Sequence, residues 1–180
     1  MKYSKIIALS AISAAITVVL LALGSFIEAI DIACVMIAGL AMMLPLSKKM
    51  YLGAFLSYVA SALLILIISP GKWNVIVPYA VFFGLYPIGN AVQVRFKINR
   101  IIALIVKDAW FLLAMFLYYK MLVFVTGYDL LTDFAFIPDE YSKYIAPGLF
   151  AIGAVFFIFY DYVMMRMQRV VDYLVEKIKL

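Results

Sequence analysis

The stretch from Lys72 to Asn90 sets aromatic and polar side chains into an otherwise apolar run: Trp73, Asn74, Tyr79, Phe83, Tyr86 and Asn90, interrupted by Pro78, Gly84, Pro87 and Gly89. Aromatic faces stack on planar ligands, and amide and phenol groups supply the few directed hydrogen bonds that orient a small molecule. Tyr79, Phe83 and Tyr86 are spaced four and three apart, which places them on one helix face. Glu28 and Asp31 stand before the second apolar run, and Tyr118 lies in the second half of the fifth, at the depth of this stretch. Together these residues form a candidate substrate-binding set on one side of a membrane. Two other origins stay open: interfacial belts collect Trp and Tyr, and Pro and Gly also serve helix packing. In lipid the breaks survive only where neighbouring helices or a water-filled cavity satisfy the freed backbone groups.

A second set, Lys107, Asp108, Tyr160 and Asp161, lies toward the other side. An ion pair of Lys107 with Asp161 would neutralise charge that is costly in lipid; a proton relay is the functional alternative and normally needs carboxylates nearer the midplane. Catalytic signatures are missing. The chain has no histidine and one cysteine, Cys34, so the usual zinc, copper and haem ligand sets, a histidine base and an intramolecular disulfide cannot be assembled. It also carries no Gly-rich phosphate loop and no hydrolase elbow. We expect no enzyme, no cofactor and no metal; any ATP chemistry must come from another subunit.

The elements that hold these residues are membrane helices. Of 180 residues 68% are hydrophobic and 14% charged, with a mean hydropathy of +1.12, far above the apolar share of about half in soluble domains. Long apolar runs predict six transmembrane helices in an all-α bundle: Ile6 to Gly24, about Phe26 to Leu46, Met50 to Ile68, Asn74 to Val94, Ile101 to Val125 and Ile145 to Met165, with an amphipathic tail after Arg169. The first run is longer than a signal-peptide core of about 7–15 residues, so a retained helix is expected. An acidic loop from Thr126 to Tyr144 precedes the sixth helix. Lys and Arg cluster at Lys2 and Lys5, Lys48 and Lys49, Arg95 to Arg100, and Arg166 and Arg169, all on one side. The positive-inside rule places that side, and both termini, in the cytoplasm of a cell-membrane protein. The net charge of +5 thus reads as a topology signal beside anionic lipid, with no nucleic-acid partner. No repeat or linker divides residues 1–180, so one domain is expected.

Ala8, Ala11, Ala15 and Ala22 recur at helical spacing on the first helix and leave a shallow face on which another helix can dock. With that Ala11-x-x-x-Ala15 element, the acidic loop before helix two and the Trp73-Asn74 start of helix four, the chain resembles the substrate-binding S components of energy-coupling factor transporters. The resemblance implies capture of a vitamin or similar micronutrient on the outer side under loop caps. It also implies docking through Ala8, Ala11 and Ala15 on a transmembrane coupling protein that carries two ATPases, and toppling of the whole component to release its ligand inside. No substrate-specific motif of the riboflavin, thiamine, biotin or folate members is present; the aromatic set with carboxylates at its rim favours a planar heterocycle. A non-catalytic scaffold of cell-shape machinery and a self-sufficient small transporter or channel are the alternatives. The lined, broken fourth helix argues against the first, and the lack of an inverted repeat or midplane charge against the second.

Overall fold

A computed structural model describes residues 2–127 and 144–177. The acidic stretch from Asp129 to Glu140 and the last residues of the tail lie outside the described residues. The rest is helical, with no strand among the described residues: α1 (Lys2–Phe26), a 3₁₀ turn (Glu28–Ile30), α2 (Asp31–Ala41), α3 (Met43–Ser47), α4 (Tyr51–Ile68), α5 (Trp73–Pro78), a π-helical turn (Tyr79–Phe83), α6 (Tyr86–Arg95), α7 (Arg100–Thr126) and α8 (Ile145–Lys177). Taken as spans, six stretches are long and apolar enough to cross a bilayer: Ile7–Phe26, Glu28–Ser47, Tyr51–Ile68, Trp73–Arg95, Arg100–Val125 and Ile145–Lys177. The chain is an all-α, multi-pass membrane protein. The second span starts at Glu28 rather than near Phe26, because Ile27 N–H still donates to Leu23 C=O (3.0 Å) and α1 keeps its last turn. The apolar sixth run and the amphipathic tail are one 33-residue helix. At about 1.5 Å per residue it is some 50 Å long, well beyond a hydrocarbon core of about 30 Å.

Packing groups the chain into two compact units, Met1–Ile98 with Val163–Leu180, and Asn99–Tyr162. In the first, α1 packs against both α2 and α4. Its buried face carries Leu9, Ser13, Thr17 and Leu21, whereas Ala8, Ala11 and Ala15 are exposed on another face. Hydroxyls bridge these helices: Ser13 Oγ donates to Ala41 C=O (2.7 Å), Thr17 Oγ1 to Ala38 C=O (3.4 Å), and Ser57 Oγ to Ser10 C=O (2.7 Å). Lipid tails are as apolar as leucine, so close packing and interhelical hydrogen bonds, each worth about 0.6 kcal/mol on average, replace the hydrophobic effect.

The Ser13 and Thr17 bonds also explain a bend that the sequence reading did not anticipate, the turn at Met42 between α2 and α3. Pro45 has no N–H to give to Ala41 C=O, and Met42 N–H turns to Gly39 C=O (3.2 Å) instead of Ala38 C=O. Both freed carbonyls accept hydroxyls from α1. The kink is therefore held from outside the kinked helix.

The second unit is an antiparallel helix pair, α7 against the Ile145–Tyr162 part of α8. Asn99 caps α7 by accepting from Ile101 N–H (2.9 Å), and Gly127, in the left-handed region at φ 67°, ends it. Lys107 is salt-bridged to Asp161, Phe111 stacks on Phe157 with centroids 5.4 Å apart, and Phe116 meets Phe150 at 6.5 Å. These contacts advance along α7 as they retreat along α8, which fixes the antiparallel register.

Candidate functional site

The fourth span is broken as its prolines and glycines require, and the break sits where the substrate-binding set was expected. Pro78 ends α5, and a π turn follows in which Gly84 N–H donates to Tyr79 C=O (2.9 Å), one residue beyond the α-helical partner. Ala80 C=O loses that donor and accepts Tyr58 Oη from α4 at 2.6 Å. Pro87, just inside α6, likewise has no N–H for Phe83 C=O. That carbonyl lies against Gly39 of α2, so closely that a Cβ at position 39 would come within 2.8 Å of the oxygen. Neighbouring helices satisfy or cover these two carbonyls.

Around the break the aromatic side chains close into a core. Tyr79, Phe82 and Tyr86 are fully buried and Phe83 nearly so. Tyr79 Oη shares a hydrogen bond with Ser61 Oγ (2.6 Å) and its ring meets Tyr58 at 5.8 Å. Phe82 lies 5.2 Å from Phe83, edge to face, and 5.4 Å from Tyr86. Sequence reasoning missed Phe82, Tyr58 and Ser61. Phe82 lies three residues after Tyr79 and four before Tyr86, so it shares their helical stripe, and the spacing itself was the available signal. Ser57 and Ser61, one helical turn apart in an otherwise apolar α4, were the available signal for the other two.

At the Trp73 end of this unit, two connections close on each other. Asp31 opens α2, and its Oδ2 accepts from Asn74 Nδ2 at 2.7 Å; Glu28 Oε1 and Lys72 Nζ are 3.1 Å apart. The Glu28–Lys72 pair is well exposed, its side chains retaining 78% and 41% of their accessible surface, so it contributes about 0–1 kcal/mol. Asp31–Asn74 is partly buried and holds the connection before α2 against the start of α5. Trp73 sits at the rim, 38% exposed.

The structure thus brings Glu28, Asp31, Trp73 and Asn74 to one end, with Tyr79, Phe83 and Tyr86 packed in the interior beneath the break. It does not gather the whole expected set. Asn90, 3% exposed, lines a cleft near the other end of α6 together with Lys49 and Arg169, and Tyr118 belongs to the α7–α8 unit, where it is half-buried. In that second unit Lys107 and Asp161 form the expected ion pair, 7% and 4% exposed. Among the described residues no group of His, Cys, Asp and Glu has the arrangement to hold a metal ion. No protein-family model, curated protein or solved structure matches the chain.

Proposed function

We propose that this chain is the substrate-capture component of an energy-coupling factor importer. In that role it resides in the cell membrane with both termini in the cytoplasm and binds a vitamin-sized, planar small molecule from the outer side. It delivers the molecule with a separate coupling protein and ATPases, and performs no chemistry itself. The observation that carries this reading is the clasp at the Trp73 end. Two connections held by an exposed ion pair and one amide–carboxylate hydrogen bond cover a broken helix whose aromatic and hydroxyl groups are buried beneath. Parting so small a set of contacts costs little compared with unfolding a helix. It opens a route from the rim residues Trp73, Asn74 and Asp31 to Tyr79, Phe83 and Tyr86. A membrane scaffold has no use for a polar clasp over an interrupted span.

The exposed Ala8, Ala11 and Ala15 supply the second requirement, a smooth helix face for a partner. Replacing both Ala11 and Ala15 with Trp is expected to abolish co-purification of coupling protein and ATPases from the native membrane while leaving the melting temperature of the isolated chain within a few degrees of wild type. Assembly that survives both substitutions removes α1 as the docking helix.

A further inference from the structure

Apart from the clasp, the strongest unassigned feature lies at the opposite end of the same unit, around the turn between α3 and α4. Three recesses meet there, and Lys49 and Tyr51 line all of them. One is an apolar groove of about 670 Å³ between α1 and α4, walled by Ile7, Ala11, Ala14, Leu52, Leu56 and Ala60. Another is a cleft of about 410 Å³ whose wall includes Ser47, Asn90, Gln168 and Arg169. The third is lined by Arg95, whose guanidinium lies 5.0 Å over the Tyr51 ring.

Among the described residues the cations of this junction have no carboxylate partner. Among the described residues the ion pairs are Lys72 with Glu28 and Lys107 with Asp161, so Lys49, Arg95 and Arg169 each stand without a carboxylate. Asp172, the acid that the described residues place on the cleft wall, accepts from Gln168 Nε2 at 2.8 Å instead. Lys49 itself sits in the left-handed region at φ 58°, fixed there by Lys49 N–H donating to Leu46 C=O (2.8 Å) and Met50 N–H to Pro45 C=O (3.1 Å). The turn therefore presents one cation that lines both the apolar groove and the cleft beside Arg169.

We infer that this junction binds one anionic phospholipid, its phosphate among Lys49, Arg95 and Arg169 and one acyl chain along the α1–α4 groove. The stretch of α4 that walls the groove, from Tyr51 to Ala60, spans about 14 Å at 1.5 Å per residue, close to half of a hydrocarbon core of about 30 Å. That is the depth of a single leaflet. Basic pockets beside membrane helices attract anionic headgroups through the same unpaired cations, and a soluble phosphate compound would leave the apolar groove unused.

Native mass spectrometry of the full chain in detergent, titrated with dioleoyl phosphatidylglycerol or dioleoyl phosphatidylcholine, tests this. Wild type is expected to retain phosphatidylglycerol at least about tenfold better, and each cation removed as Lys49→Gln, Arg95→Gln or Arg169→Gln to lower that preference about fivefold. Lys49→Arg should restore it. Ala14→Trp or Ala60→Trp, which fills the groove, should weaken retention of both lipids with the headgroup preference intact. These cations are exposed, so the glutamine variants keep the wild-type melting temperature. Equal retention of the two lipids by wild type overturns the inference, as does an unchanged preference in the Lys49→Gln, Arg169→Gln double variant. Displacement of the lipid by inorganic phosphate alone overturns the acyl-chain assignment and points to a soluble phosphate ligand. All variants leave the clasp residues untouched, so failure here is separate from failure of the transport reading.

Discussion

Asp161→Leu is expected to destabilise the α7–α8 pair by about 3–5 kcal/mol, the usual cost of removing one partner from a buried ion pair. Lys107 and Asp161 are 7% and 4% exposed, and Asp161 is the ion-pair partner that Lys107 has among the described residues. The loss should appear as a large drop in melting temperature of the detergent-purified protein. Lys107→Met added to Asp161→Leu should recover most of it, because an apolar pair of similar volume needs no neutralisation. A single variant that melts like wild type would mean that water reaches the lysine. The same pair of variants separates structure from mechanism: substrate uptake that returns with stability in the double variant marks a structural neutraliser, whereas a stable double variant without uptake would support a proton relay.

Gly39→Leu is expected to cost at least about 2 kcal/mol, in the range for inserting atoms into a packed interior. A Cβ at this position would stand 2.8 Å from the Phe83 carbonyl oxygen, a backbone atom with no flexible end to move aside. The same carbonyl has already lost its helical donor to Pro87, so pushing α2 away would also leave it less well covered. Melting of the Gly39→Ala and Gly39→Leu series should fall in that order. If Gly39→Leu melts at the wild-type temperature, α2 does not press on the π turn and the packing at the break is looser than described above.

Much of this architecture was legible because lipid removes most alternatives. Long apolar runs gave six spans, and the placement of Pro78, Gly84 and Pro87 gave a break in the fourth. The Lys107–Asp161 pair followed from the cost of isolated charge. What was not legible depends on partners distant in the chain. Pro45 is visible in the sequence, but at the turn at Met42 the hydroxyls of Ser13 and Thr17 donate to Ala41 and Ala38 C=O in place of missing N–H groups, across 28 and 21 residues of chain. Asn90 carries the polarity expected of a ligand group, yet position along α6 places it by Lys49 and Arg169 rather than by Trp73. Lys49 read as a topology signal, and its meeting with Arg95 and Arg169 rests on where the last helix packs.

The exposed alanine face of α1 and the lipid junction share Ala11, which gives the two proposals a physical link. A coupling helix that docks along Ala8, Ala11 and Ala15 would border the groove in which we place an acyl chain. Assembly and lipid retention should therefore influence each other.

The capture reading is tested most directly by native mass spectrometry, with extraction of small molecules, on the protein purified in detergent after expression alone. The expected result is one vitamin-sized molecule in near-stoichiometric amount, lost when Trp73 and Asn74 are both replaced by Ala. An empty chain that draws cell-wall or cytoskeletal proteins from the membrane, and no ATPases, would contradict it.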